Sequence, residues 1–310
     1  MPDSSPVTVF GPASLSNLGP GYDALGLCIT GLGDRVTAWR TEAAGVTVEG
    51  PPSLPTDPEK NTAGRAARHV LRQSGAEGGV ALRIEKGIPM GSGVGGSSAS
   101  AVAGAFAANE VLGRPFDKRG LVEAVLEGER AAGGYHGDNV LPTLFGGLVL
   151  VSPSDPTVYR RLTLPAPPPL AIVLPDVEVL TRDARAVLPE TVPHSDASAQ
   201  AAEIAFLMRA LLEGDWPAVG AAIMRDRLAE PFRAPLVPVY EAVRQAALDA
   251  GAAGCALTGS GPALFAIPGP DADAQVLVDA MIAASRAGGV DATGWVARVD
   301  PQGVRVVDAA

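Results

Sequence analysis

The sequence predicts an α+β protein of two domains, and three observations point that way. Short runs of period-2 apolar alternation are interleaved with amphipathic segments and hairpin-type turns, an order unlike the strict strand–helix alternation of a doubly wound parallel sheet. The stretch Pro165-Ala-Pro-Pro-Pro169 is stiff and poor in backbone donors, which marks a connection. With 310 residues, 47% of them hydrophobic, the chain can bury a core on each side of that connection. The boundary is placed near residue 160, separating 1–160 from 161–310.

In chain order, strands are expected at Val7–Phe10, Leu25–Ile29, Val36–Trp39, Val46–Glu49 and Val80–Glu85, where apolar residues alternate or cluster. Helices are expected from Thr62 to Ser74, from Ser97 to Leu112 and from Lys118 to Glu129, with Asn61 or Thr62 capping the first. A strand follows at Leu144–Ser152. Past the proline run come a strand (Leu170–Leu174) and helices at Ala197–Glu213, Trp216–Asp226 and Pro238–Ala250. Thr258-Gly-Ser-Gly-Pro262 sits between the apolar runs Cys255–Leu257 and Ala263–Ile267, which reads as strand–turn–strand. A helix (Ala272–Ala287) and a last strand (Thr293–Val299) complete the chain.

The segment Gly87-Ile-Pro-Met-Gly-Ser-Gly-Val-Gly-Gly-Ser-Ser-Ala-Ser100 carries five glycines before serines and an alanine-rich stretch. It reads as a flexible loop that opens a helix. Glycine lets backbone pass close to a ligand, and a helix start offers unpaired N–H groups with partial positive charge. Together they suit phosphate. A hydroxyl of Ser97 or Ser98 could cap the helix, touch phosphate or hold a metal. No lysine follows Gly96, so this is not a Walker A loop, and no acidic residue stands where a dinucleotide fingerprint needs one. Only Lys86 of the three lysines is near, so phosphate binding rests on amides, the helix dipole and a cation.

Two more glycine-rich turns join it. One is Gly11-Pro-Ala-Ser-Leu-Ser-Asn-Leu-Gly-Pro-Gly-Tyr-Asp-Ala-Leu-Gly26, and the other is the Thr258–Pro262 turn. Three such loops in this order resemble the GHMP kinases over nearly the whole chain. The family's second motif, Pro-x-x-x-Gly-Leu-Gly-Ser-Ser-Ala, is matched by Pro89, Gly93, Val94, Gly95, Gly96, Ser97 and Ser98, with Gly96 in place of the first serine. Further segments are similar to the branch of the family that acts on L-homoserine: Ala13–Asp23, Tyr135-His-Gly-Asp-Asn-Val140 followed by Phe145-Gly-Gly147, Thr181-Arg-Asp-Ala-Arg185, and Glu230-Pro-Phe-Arg233.

The resemblance implies a ribosomal protein S5-like N-terminal domain, a ferredoxin-like C-terminal domain and an active site between them. It also implies ATP-dependent, Mg²⁺-assisted phosphorylation of L-homoserine to O-phospho-L-homoserine on the route to threonine. The rival readings are another GHMP small-molecule kinase and a non-catalytic relative that binds nucleotide or amino acid.

On that footing the residues from Pro89 through Met90, Gly91, Ser92, Gly93, Val94, Gly95, Gly96, Ser97 and Ser98 to Ala99 form the nucleotide cradle, with Asn61 as a contact to adenine or ribose. Ser97 and Glu129 are the expected metal ligands, with Ser98 and Glu127 as the competing choices. Arg185 and Arg233 are assigned to the substrate carboxylate, because guanidinium pairs with carboxylate bidentately. Asp23 and Asn17 would take the ammonium and hydroxyl; His136, Asn139 and Gly259 would complete the pocket. Asn139 stands where several relatives use an Asp base. An amide cannot take a proton at neutral pH, so catalysis is expected to run on in-line placement and electrostatics, with Thr181 as a helper.

The net charge of −10 argues against nucleic acid or an anionic membrane as partner. No apolar run approaches the ~18 residues that a membrane span needs, and Met-Pro-Asp-Ser-Ser-Pro6 lacks the basic-then-apolar order of a signal peptide. A cytoplasmic enzyme is expected, and the resemblance implies a homodimer. Cys28 and Cys255 read as buried small apolar residues, not a disulfide or a zinc pair.

Overall fold

The computed structural model describes residues 5–308; residues 1–4, on which the reading of the N-terminus rests in part, lie outside them. β1 (Val7–Ser16) pairs antiparallel with β2 (Leu25–Thr41). β3 (Gly45–Glu49), α1 (Thr62–Ser74) and β4 (Gly79–Glu85) follow, with β3 and β4 parallel. A parallel pair needs a long crossover, and α1 supplies it. Next come α2 (Gly96–Val111), α3 (Val122–Glu129) and α4 (Gly137–Phe145), then the hairpin of β5 (Leu148–Ser152) and β6 (Asp155–Leu162).

The two strands expected at Leu25–Ile29 and Val36–Trp39 are one strand of 17 residues. Its first residues pair with β5 and its later ones with β4, so β2 serves two neighbours on the same edge. The expected strand at Leu144 starts instead at Leu148, because Leu144 and Phe145 end α4 and Gly146-Gly147 turns the chain. The helix expected from Lys118 begins at Val122.

The second half contains β7 (Leu170–Pro175), α5 (Thr181–Ala186), α6 (His194–Glu213), α7 (Trp216–Ile223), α8 (Glu230–Arg233), α9 (Tyr240–Asp249), β8 (Ala252–Leu257), β9 (Leu264–Pro268), α10 (Ala274–Ala287) and β10 (Ala292–Ala297). The four strands run antiparallel in the order β10-β7-β9-β8. Fourth, first, third, second is the ferredoxin-like order. A last strand, β11 (Arg305–Val307), returns to pair with β1. A cut at residue 160 would therefore divide β6 and detach β11 from the sheet it joins.

Buried residues gather in three clusters. Val36, Leu82 and Ile84 of the first sheet pack under α1–α4. Leu15, Leu25 and Ile29 of the first sheet meet Ile172 and Phe265 of the second. Val173, Leu264 and Cys255 pack under α9 and α10. The middle cluster is what locks the two sheets together, and the site lies at its rim.

Helix α1 is capped as the sequence predicts: the Asn61 side chain accepts from the Gly64 N–H at 3.1 Å, and Gly75 closes the helix in the left-handed region. Helix α2 lies almost wholly inside the protein and touches α1 at Gly104, where an added Cβ would meet the Ala63 backbone at 2.7 Å. Gly104→Val should overpack this contact and lower the unfolding free energy by about 1–3 kcal/mol, read by urea denaturation. A variant as stable as the parent would contradict the packing.

Candidate active site

A cleft of about 490 Å³ opens between the two halves. Its walls come from the end of β1, the start of α1, the end of β4, the loop into α2, the segment 129–139, the turn into α5, Arg233 of α8 and the 259–260 turn.

The glycine-rich end is built on α2. Gly95 sits at its start with φ 74°, and a Cβ there would lie 2.3 Å from Ser14 Oγ. The position therefore needs glycine for both backbone and space. The first helical bond runs from the Ala99 N–H to the Gly95 carbonyl at 2.9 Å, and no side chain caps the N–H groups ahead of it. An uncapped helix start inside a cleft has the unpaired N–H groups and dipole that suit an anion.

Neither Ser97 nor Ser98 caps the helix. Both hydroxyls donate to Glu129, at 3.0 and 2.9 Å. Burial raises the Glu129 carboxyl above its ordinary value, against the pull of the two hydroxyls. Glu127, the alternative, is held by Arg65 at 3.2 Å and Arg130 at 2.7 Å. Burial raises its pKa, but these two arginines outweigh burial and leave it below the usual range. Lys86 is committed as well: its Nζ donates to Asp34, to the Gly96 carbonyl at 2.9 Å and to Ser100 Oγ at 3.2 Å. Its three donors are accounted for, so it braces the helix start from behind.

Pro89, Met90, Gly91, Ser92, Gly93, Gly95, Gly96 and Ser97 line the cleft. Val94 and Ala99 do not: both are fully buried in the middle cluster, because the loop alternates its faces between cleft and core. The Ser98 side chain is buried beneath the loop on Glu129. Asn61 is at the cleft wall, with its amide committed to the cap and, through Nδ2, to the Pro55 carbonyl at 2.9 Å. Of the two roles expected of Asn61, the helix cap is formed, and the residue also stands at the cleft wall where the nucleoside contact was expected.

At the other end, Arg185 grips Asp23 with two N–H groups at 3.1 and 3.4 Å and donates to Tyr22 OH at 3.0 Å. His136 Nδ1 lies 3.8 Å from the same carboxylate, and burial holds its pKa below the usual value. Arg233 is 4% exposed. It donates to the carbonyls of Ala184 (3.1 Å) and Gly259 (2.8 Å) and to Tyr22 OH (3.4 Å), with Tyr22's ring 5.0 Å away. No acidic side chain pairs with it among the described residues. Burial pulls its pKa down, a direction that a bound anion would reverse. Asn17 accepts from the Asp23 N–H at 3.2 Å and donates to the Gly259 carbonyl at 3.2 Å. Thr181 stands at the cleft mouth as the first residue of α5.

Asn139 is fixed between two serines. Ser14 Oγ donates to its Oδ1 at 2.9 Å, and its Nδ2 donates to Ser16 Oγ at 3.0 Å. Ser14 and Ser16 are two apart on β1 and so share a face. Neither was singled out from the sequence, nor were Tyr22, Asp34, Lys86 as a brace, or Thr258. The i, i+2 serines within the matched Ala13–Asp23 segment were the available signal for the first pair. The Asp34–Lys86 contact spans 52 residues and leaves no spacing to read.

Three side-chain atoms among the described residues are buried without a partner: Ser92 Oγ, Arg185 Nε and Glu230 Oε2. Ser92 and Arg185 line this cleft and Glu230 lies just behind it. Buried polar atoms are nearly always paired, so their gathering marks a place shaped for a ligand.

Two family models match the chain: the GHMP kinases N terminal domain over residues 61–147 and the GHMP kinases C terminal over residues 207–287. The chain belongs to the GHMP kinase family, enzymes that take ATP as phosphate donor. Its relatives narrow the comparison. It is 42% identical to a homoserine kinase of Pyrococcus abyssi, over 84% of this chain and 86% of that one. It is 39% identical to a homoserine kinase of Arabidopsis thaliana, over 98% and 85%. The crystal structure of homoserine kinase from Cytophaga hutchinsonii superposes with a TM-score of 0.92 at 38% identity, covering 97% of each chain. The L. major mevalonate kinase in complex with R-mevalonate shares the fold at a TM-score of 0.71 and 17% identity.

Asp138, 4% exposed, has its carboxyl pushed up to about 7 by burial and by the charges of Asp23 and Glu129, against Arg185 and Ser16. A carboxyl raised on folding stabilises the fold below its ordinary pKa, and that contribution is lost as pH rises toward 7. Asp138→Asn should therefore be more stable than the parent at pH 8.5, by about 2–4 kcal/mol at ~1.4 kcal/mol per pK unit. The gap should close toward pH 4, in urea titrations of the ligand-free protein. An equal gap at both pH values would contradict the burial of an ionisable group there.

Proposed function

We propose that this chain transfers the γ-phosphoryl group of ATP to the side-chain hydroxyl of L-homoserine, giving O-phospho-L-homoserine on the route to threonine. The observation that carries the substrate assignment is Arg233: a buried guanidinium oriented by two carbonyls and Tyr22 and left without a carboxylate of its own. A substrate carboxylate supplies the missing charge. Asp23, held by Arg185, offers its carboxylate to the substrate ammonium beside Asn17 and His136. A zwitterion suits this pairing, whereas a simple acid leaves Asp23 facing like charge.

The amides at the start of α2 hold the phosphates across the cleft. The donor set also fits Mg²⁺: Ser97 Oγ and a Glu129 carboxylate not paired with a cation are hard oxygens at the helix mouth, and this ion needs only one or two protein ligands. Ser97 and Glu129 would hold it; bound there, it offsets phosphate charge. Asn139, locked by Ser14 and Ser16, directs an N–H toward the acceptor hydroxyl. The hydroxyl needs little early deprotonation in a loose transition state, so placement supplies the acceleration.

The free, buried Cys28 and Cys255 are in keeping with the cytoplasm as compartment. Phe206 and Leu212, exposed on α6, are in keeping with a homodimer. The net charge of −10 is in keeping with neither nucleic acid nor an anionic membrane as partner.

A coupled ADP assay over homoserine, mevalonate and shikimate tests the assignment, with homoserine expected as the preferred acceptor. Arg233→Ala should lower kcat/KM for homoserine at least about 100-fold and leave the KM for ATP within about threefold. ATP binding without turnover of any alcohol would favour a non-catalytic relative. Asn139→Ala should lower kcat about 100-fold, and Asn139→Asp should not raise it above the parent. A large gain in Asn139→Asp would mean that a base was wanted at that place.

A further inference from the structure

Glu230 is a buried carboxyl three residues before Arg233 in α8. Its Oε1 accepts from Tyr240 OH at 2.5 Å and from the Leu257 N–H at 3.1 Å. Leu257 ends β8, and the next two residues are Thr258 and Gly259. One oxygen thus ties three pieces together: the first residue of α8, the first residue of α9 and the last of β8. The two elements that it joins meet again on the cleft side, where Arg233 Nη1 donates to the Gly259 carbonyl at 2.8 Å. The bond from Glu230 to Leu257 and the bond from Arg233 to Gly259 are successive rungs between the same helix and the same turn.

We propose that Glu230 is a positioning residue for the substrate carboxylate: its clamp on Leu257 and Tyr240 fixes α8 against the 258–260 turn, so that Arg233 is presented to the cleft in one orientation. The proposal rests on the reading of Arg233 as the carboxylate anchor. Other ways of holding Arg233 are weaker. Its remaining bonds, to Ala184 and Tyr22, come from a six-residue helix and a loop. Glu230 Oε2 has no partner and borders a small void that Arg233, Asn17 and Gly259 also line.

The chemistry suits a clamp better than a reactive group. Burial raises the Glu230 carboxyl to about 7, with Asp226 adding to the rise and Tyr240, Leu257 and Arg244 opposing it. A carboxyl that is neutral, or half so, keeps Oε1 as an acceptor and places its proton on the free Oε2. Glutamine reproduces that arrangement, with a carbonyl for Oε1 and an amide for Oε2. Alanine removes the bonds to Tyr240 and Leu257, leaves the Leu257 N–H buried and unpaired, and leaves only the Arg233–Gly259 rung between helix and turn.

The test compares Glu230→Ala, Glu230→Gln and Tyr240→Phe in the full chain. For Glu230→Ala, the KM for homoserine should rise about tenfold or more, with the KM for ATP changed less than about twofold. For the decarboxylated amino alcohol, which has nothing for Arg233 to bind, KM should stay unchanged. Glu230→Gln should remain within about threefold of the parent on every substrate, and Tyr240→Phe, which removes one donor to Oε1, should show a smaller rise on homoserine alone. A structural role alone would lower the apparent kcat on both alcohols equally and leave every KM in place, and that result overturns the proposal.

Hydrogen exchange in the ligand-free protein gives a readout that does not depend on the substrate. The Leu257 amide should exchange at least about tenfold faster in Glu230→Ala and near the parent rate in Glu230→Gln. If the parent fails to phosphorylate homoserine, the substrate assignment fails, and the exchange rates still decide the clamp: an unchanged Leu257 rate in Glu230→Ala overturns it. Should Glu230→Ala not fold, Tyr240→Phe carries both readouts, and a parent-like KM and exchange rate there overturn the proposal.

Discussion

Everything at the site depends on three loops being hydrogen-bonded to one another through Thr258. Its Oγ1 accepts from the Ser16 N–H at 3.1 Å and donates to the Gly93 carbonyl at 3.3 Å. Around it, main-chain bonds run from Gly259 N to the Ser16 carbonyl, from Ala263 N to the Ser92 carbonyl and from Ser14 N to the Val94 carbonyl. Buried main-chain groups must pair with something. Here they pair across loops more than 70 residues apart in the chain, so satisfying them also sets the distance between the glycine-rich loop and the arginines. A residue with no exposed surface thereby fixes the geometry of both ends of the cleft.

An acidic chain proposed to hold two anionic groups needs its positive field in the right places. Lys86 does not provide it, being bound to Asp34, whose other oxygen accepts the N–H groups of Gly87 and Ile88 at 3.1 Å. That buried pair is a brace: it pins the end of β4 and the first turn of α2 to β2. What remains at that end of the cleft is the dipole and the amides of α2, reinforced by a low local dielectric. Arg233 is different, a whole charge kept dry and unpaired. The two ends of the cleft thus carry two kinds of positive potential, a diffuse one at the start of α2 and a directed one at Arg233, which is the division that the proposed pair of anionic ligands calls for.

Much of this was legible in the sequence where a local rule decides. Helix α1 starts at an Asn cap and ends before a left-handed glycine, and its bounds are those the pattern predicts. The hairpin at Thr258–Pro262 and the helix at Ala274–Ala287 follow from turn residues and periodicity. Helix α4 was not read, because it carries Pro142 inside it and follows two glycines, both signals against a helix. β6 was not read because its exposed polar positions break the alternation. β2 was split in two because Gly31 and Gly33 interrupt it, and only its pairing with β1 on both sides of them makes it one strand. In the site, matched segments located Asp23, Asn139, Arg185 and Arg233. Partners such as Ser14, Ser16 and Asp34 were out of reach, since which strand face meets which helix is a tertiary fact. Val94 and Ala99 turn into the core for the same reason: a motif lists consecutive residues, but only some of them face the cleft.

The place of Asn139 brings these constraints together. An amide cannot accept a proton usefully, so its worth lies in where it points. Both ends of the amide are bonded to β1, through Ser14 and Ser16, and β1 is itself bonded to Val94 on one side and to Thr258 and Gly259 on the other. Asn139 is thus referenced to the same strand as the glycine-rich loop and, through Gly259, as Arg233. Displacing a positioning group by about 1 Å can reduce rate on the order of 100-fold. The proposed mechanism asks placement to carry the rate, and the structure meets that demand by holding the Asn139 amide at both ends, beside the buried Asp138 whose carboxyl is pushed up to about 7.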